Sequence, residues 1–126
     1  MNHLDLTPGE CDAEFKRRFP IIFRDCYLGA YPPPGWRQAL FEGFAPIEEL
    51  AVYQSEPLQI VQVKSKMSTC RVYHHHVTAE QRDLIAALES KTGQLCEWCG
   101  SAQSEMRATK SGVVVRDCDE CRRLRD

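Results

Sequence analysis

LQIVQVKSKMSTCRVYHHH, residues 58–76, contains two runs rich in valine, isoleucine and tyrosine, about residues 58–64 and 69–75, joined by a short polar stretch. β-Branched and aromatic side chains suit a pleated, half-buried surface, so the pair reads as an antiparallel hairpin. Successive side chains of a strand point to opposite faces. The second run therefore puts Cys70, Val72 and His74 on one side and Arg71, Tyr73 and His75 on the other. Residues 57–76 carry Lys64, Lys66 and Arg71 and no carboxylate, so the hairpin is basic within a chain whose formal net charge is −2.

Helical patterns flank it. Upstream, Trp36, Ala39, Leu40, Phe44, Ile47, Leu50 and Ala51 recur at three- and four-residue steps, interrupted by Gly43 and Pro46. One bent helix or two short ones fit this pattern, and the apolar stripe finds its partner surface in the hairpin. Thr7-Pro8-Gly9-Glu10 is a capping box that starts a helix over about residues 8–17. Pro20 and the triple proline at 32–34 make the intervening stretch an extended connector, with no helix expected near the prolines. Downstream, Thr78-Ala79-Glu80-Gln81 is a second capping box, Leu84, Ile85 and Leu88 give the buried face of a helix over 79–92, and Gly93 caps its end. These patterns predict an α+β domain over residues 1–94, a central hairpin flanked by helices.

That last helix delivers the chain into CEWCGSAQSEMRATKSGVVVRDCDEC, residues 96–121. Cys96 and Cys99 are two residues apart, as are Cys118 and Cys121, with eighteen residues between the pairs, a spacing typical of tetrahedral zinc sites. Soft thiolates in a four-sulfur set favour zinc, although iron takes the same geometry. Between the pairs, two short strands turn at Ser111-Gly112, and a helix begins at the second pair. Knuckle, hairpin and helix-borne ligands predict a treble-clef-like module over residues 95–126, packed on the first domain. A catalytic zinc keeps a position open for water, whereas four cysteines fill the shell, so the expected role is structural. Such sites contribute roughly 10–16 kcal/mol of apparent binding free energy, which becomes folding energy.

Seven cysteines without an export signal point to thiols and metal in a reducing cytosol, with Cys11, Cys26 and Cys70 as small buried apolar residues. No stretch approaches the apolar length that spans a bilayer, and the expected location is cytoplasmic. His74-His75-His76 invites a metal-dependent nuclease reading, which strand alternation opposes because neighbouring rings diverge. No phosphate loop, activated nucleophile or carboxylate pair stands out, and the expectation is a protein that is not an enzyme. Arg107, Lys110, Arg116, Arg122, Arg123 and Arg125 form a second basic cluster, diluted by Asp117, Asp119, Glu120 and Asp126. Together with Lys64, Lys66 and Arg71, these cations are candidate partner-binding residues, for a protein or for nucleic acid phosphates.

The order of FPIIFRD, GWRQALFEGF, VQVKSKMSTCRVY, TAEQRDLIAALES, CEWCG and RDCDEC resembles a family of small, largely uncharacterised bacterial and prophage proteins. In that family a Gly-Trp helix precedes a VQVKxKxGxLRFY-like hairpin, a helix and a terminal zinc-type cluster. The matching positions are Gly35 and Trp36, then Val61, Gln62, Val63, Lys64 and Lys66, then Arg71 and Tyr73, then the four cysteines. The chain departs at Met67-Ser68, where Phe-Gly is usual, and at Cys121, where a histidine one position further on is expected. The resemblance implies a phage or mobile-element setting and no particular reaction. A small phage-type protein of this kind is expected to bind, and to inhibit, a host defence or transcription protein.

Overall fold

Thr7 opens α1 (Pro8–Arg18) with a reciprocal cap: its hydroxyl accepts from the Glu10 N–H at 3.1 Å, and the Glu10 carboxylate accepts from the Thr7 N–H at 2.9 Å. The computed structural model describes residues 3–125, with side chains from 3 to 124. Thr78 and Gln81 form the same box at the start of α3 (Ala79–Thr92). Gln81 is fully buried, and its side-chain N–H donates to the Gln54 side-chain carbonyl at 2.6 Å, fastening α3 to the loop that enters the hairpin.

Of the two arrangements that fit residues 36–51, the chain adopts one continuous helix, α2 (Arg37–Ala51), with Pro46 inside it. The residues that interrupt its pattern lie where α3 crosses. A Cβ on Gly43 would stand 2.4 Å from Leu88 Cδ1, so the missing side chain lets the two helices approach closely. Behind α2, all five phenylalanines, Phe15, Phe19, Phe23, Phe41 and Phe44, are buried together. Phe15 stacks on Phe41 with ring centroids 4.2 Å apart, and Phe23 meets Phe44 edge-on at 5.2 Å. Such pairs add about 0.5–1.5 kcal/mol each beyond their area burial.

The connector differs from its expectation in two places. Residues 20–25 form turns rather than an extended connector, held because the Glu48 carboxylate accepts from the N–H groups of Ile21 at 3.1 Å and Ile22 at 2.9 Å. A 3-10 turn, Pro34–Trp36, also starts at the last proline. Proline is tolerated at a first helical position, where its absent N–H would have no partner anyway. Between these turns the chain runs alongside β1 (Gln59–Lys66): Leu28 N–H donates to Val61 O, Val63 N–H to Gly29 O, and Tyr31 N–H to Val63 O, all at 3.0–3.1 Å. β1 is thus bonded on both edges.

Its other neighbour is β2 (Thr69–His75), antiparallel, with Lys64 opposite Arg71 and Val63 opposite Val72. Cys70 and Val72 are buried, His74 is half-buried, and Arg71, Tyr73 and His75 are exposed, the division that strand alternation predicts. The two turn residues, Met67 and Ser68, both lie in the left-handed region, at φ 52° and 61°. Turns of this kind match the twist of the strands but favour glycine or asparagine. Ser68 is buried and donates its hydroxyl to a Glu97 carboxylate oxygen at 2.7 Å. A second, separate hairpin and a short helix complete the α+β fold, and no described helix is long and apolar enough to cross a membrane.

The turn yields a paired test. Ser68→Ala loses the bond to a carboxylate and keeps the left-handed conformation, costing about 1.5–3 kcal/mol in urea unfolding of the metal-loaded chain. Ser68→Gly loses the same bond but relieves the backbone, so it should be about 1 kcal/mol less destabilised. Equal losses would show that the turn carries no backbone cost.

Candidate metal centre

Gly93 ends α3 in a right-handed conformation, its N–H donating to Glu89 O, and the chain turns directly into a knuckle. Cys96 O accepts from the Gly100 N–H at 2.9 Å, Cys96 N–H donates to Ser101 O at 2.9 Å, and Trp98 N–H donates to Cys96 Sγ at 3.4 Å. Gly100 sits at φ +83°, which closes the turn. The chain then forms β3 (Glu105–Ala108) and β4 (Val114–Asp117), paired antiparallel from Glu105 opposite Asp117 to Ala108 opposite Val114. Cys118 immediately precedes α4 (Asp119–Arg125), and Cys121 lies in its first turn, donating its N–H to Cys118 Sγ at 3.4 Å.

This path brings the four sulfurs of Cys96, Cys99, Cys118 and Cys121 within 4.8 Å of one another, with Cys99 and Cys118 Sγ 3.6 Å apart and no disulfide among them. An ion bonded tetrahedrally to four sulfurs at about 2.3 Å would space them about 3.8 Å apart, so the set fits a metal ion. Its electrostatics fit as well. Burial raises the Cys96 thiol, but hydrogen bonds from the backbone of Cys99, Trp98 and Cys118 outweigh that and bring it to about 7. Cys99 and Cys121 are pushed up, first by burial and also by the neighbouring sulfurs. Thiolates crowded this closely repel one another, and a shared cation removes that cost. Among the described residues, these cysteines are the one group of three or more histidine, cysteine or acidic side chains placed to hold a metal.

The histidine run does not converge. His74 turns inward and burial holds it below its usual range, His75 is exposed, and His76, at φ 62°, lies 3.4 Å from a Glu56 carboxylate oxygen.

The candidate partner-binding cations with described side chains separate into four groups. Lys64, Lys66 and Arg71 belong to the first hairpin, where the Lys64 ammonium stands 5.7 Å from the Tyr73 ring centre. Arg107 and Arg122 instead grip the fully buried Asp117 carboxylate, at 2.8 Å and 3.2 Å. Burial would raise that carboxyl, but the hydrogen bonds and charges of both guanidinium groups hold it below its usual range. Arg116 donates to Ser104 O at 3.0 Å and shares a cleft with Arg71 and Glu89. Lys110 and Arg123 are exposed. The Arg125 side chain lies outside the described residues.

Sequence reasoning missed Glu97. Its N–H donates to Arg116 O at 2.9 Å, its C=O accepts from the Gly35 N–H at 2.8 Å, and one carboxylate oxygen accepts from Ser68 at 2.7 Å and from the Arg116 N–H at 3.1 Å. One residue thus joins the metal knuckle to the first hairpin, the second hairpin and the Gly-Trp turn. Beside it, Trp36 donates its indole N–H to Leu95 O at 3.0 Å. A Cβ on Gly35 would stand 2.0 Å from Cys96 O, and one on Gly100 would stand 2.6 Å from Gly35 O. The Gly35-Trp36 pair was the available signal, but nothing local to it names its partner.

No protein-family model, curated protein or solved structure matches the chain.

Gly35→Ala forces backbone against backbone, and should cost at least about 3 kcal/mol, the upper end of overpacking penalties, in denaturant unfolding. Gly9→Ala is the control: its Cβ meets nothing within 4 Å in α1, and it should be neutral or stabilising by about 0.4–1 kcal/mol. Similar melting for the two variants would refute the docking of the knuckle on Gly35.

Proposed function

We propose that this is a non-enzymatic zinc-binding protein, phage- or prophage-encoded, that acts in the host cytoplasm by binding a host protein and inhibiting it. A defence or transcription component is the expected class of target. The observation that carries this reading is the closed sulfur set. Four cysteines complete a tetrahedral shell and leave no position at which a metal could activate water. Four thiolates favour zinc over harder ions. The order of knuckle, hairpin and helix-borne second pair supports a treble-clef-like module, whose zinc would hold the last thirty or so residues against the first domain. No chemistry is asked of the metal beyond that.

A second reading rests on the open face of the first hairpin. Lys64, Lys66, Arg71 and Tyr73 lie together on a segment without a carboxylate, and the Lys64 ammonium stands over the Tyr73 ring. Cations interleaved with an aromatic ring suit single-stranded nucleic acid. The reading is weakened in the zinc module, where Arg107 and Arg122 are engaged with Asp117.

The metal assignment is tested by thiol counting. Burial raises the thiols of Cys11 and Cys26 to about 11 and that of Cys70 to about 12, so all three should resist a thiol reagent near neutral pH in the folded chain. One zinc per chain should be released by a chelator together with reactivity at four cysteines, Cys96, Cys99, Cys118 and Cys121. Release without new thiol reactivity would place the metal elsewhere.

The functional claim is tested by affinity capture with the zinc-loaded chain from a bacterial host lysate. One host protein should be retained in stoichiometric amount; retention of none would defeat the reading. Binding of a single-stranded oligonucleotide that weakens steeply with salt, and is lost in Lys64→Glu/Arg71→Glu, would favour the second reading instead.

A further inference from the structure

We infer that the groove between α2 and α3 receives an amphipathic helix of the partner protein, one whose apolar stripe is bordered by lysines or arginines. The inference rests on the protein-binding reading above and assigns it a surface.

α2 and α3 run antiparallel, with Pro46 beside Leu84 at one end and Ala39 beside Lys91 at the other. The notch between them is continuous. Its widest part, about 550 Å³, lies among Leu50, Val52, Tyr53 and Leu84, and it joins the next part through Pro46 and Leu84. That part runs on past Ala39 toward Leu95 and Gly100. From Ala39 to Tyr53 the floor extends about 20 Å at 1.5 Å per residue, roughly four turns of a partner helix. Apolar side chains are left uncovered at the wide end, where Val52 is 61% and Tyr53 88% exposed. Recognition of a helix by such a notch uses apolar anchors at i, i+3, i+4 and i+7.

Charge decides which helix. Glu42, Glu49 and Glu80 border the groove and are exposed, and Lys91, the single lysine or arginine lining it among the described residues, stands at the far end. Gln38 occupies one oxygen of Glu42, while Glu49 and Glu80 have no ion pair among the described residues. Carboxylates left unpaired beside uncovered apolar surface are complementary to a cationic amphipathic helix. Glu49 and Glu80 place its positive residues at the Tyr53 end, and Lys91 favours an acidic or uncharged group at the other. The basic hairpin is chemically the opposite surface and would repel this ligand.

The test uses the full zinc-loaded chain and three synthetic peptides of about four helical turns: leucine anchors flanked by lysines, the same anchors flanked by glutamates, and the lysine peptide with its leucines scrambled. Amide shifts on titration should map to Gly43, Tyr53 and Leu84 for the Leu/Lys peptide, with at least about tenfold tighter binding than either control. Glu49→Lys/Glu80→Lys, at two exposed positions, should reverse the preference toward the Leu/Glu peptide. The inference is overturned by no binding by any peptide, by equal affinity for the Leu/Lys and Leu/Glu peptides, by shifts confined to Lys64–Tyr73, or by a dimer in sedimentation that buries Tyr53 and so makes a second copy the occupant. A host protein captured equally by wild type and Glu49→Lys/Glu80→Lys would sink the groove alone and leave the protein-binding reading standing.

Discussion

Gly35 and the Cys96–Gly100 knuckle occupy a space with no room for a side chain on either, and this contact organises the molecule. Gly35 N–H donates to Glu97 O, a Cβ on either glycine would collide with backbone, and the adjacent Trp36 is buried with its indole bonded to Leu95 O. A knuckle is a small loop with little apolar surface of its own. It keeps its shape because a metal can tie its sulfurs and because its backbone is held from outside by Gly35, Ser68 and Arg116. Energy gained by metal binding is therefore delivered to the Gly-Trp turn and the first hairpin as well as to the terminal segment.

The terminal segment in turn depends on Asp117. A buried carboxylate is costly unless its lone pairs are met, and Arg107 from β3 and Arg122 from α4 meet them from two directions. That triad fixes the approach of α4 to β4, and so the position of Cys121 relative to Cys118. Charge that looks like partner-binding surface in the sequence is here spent on internal geometry. The surfaces left open, the hairpin face with Lys64 and Arg71 and the groove edged by Glu49 and Glu80, differ in sign, which narrows what each can bind.

Much of the fold was legible because its signals are local. Both capping boxes start helices where Thr7 and Thr78 place them, alternation sorts Cys70 and Val72 from Arg71 and Tyr73, and the two cysteine pairs converge as their spacing implies. What was missed depends on residues distant in sequence. The parallel pairing of residues 28–31 with β1 is made by backbone groups and has no side-chain signature. Nothing between Cys96 and Cys99 marks Glu97 as a junction, since its partners, Gly35, Ser68 and Arg116, come from three separate segments. Arg107 and Arg122 read as surface cations because their shared partner, Asp117, is buried only once the second hairpin forms. Pro34 misled in a smaller way, beginning a 3-10 turn where no helix was expected, whereas Pro46 sits inside α2, one of the two arrangements the sequence left open.

The central claim is that the metal knuckle and the Gly35-Trp36 turn form one cooperative unit. Hydrogen exchange of the metal-loaded and chelated chains reads this directly at the Gly35 amide and the Trp36 indole N–H. The account predicts that both lose protection together with Cys96 and Gly100 on metal removal, while amides in the β1–β2 ladder keep more of theirs. Protection that persists at Gly35 and Trp36 after the knuckle has opened would contradict it.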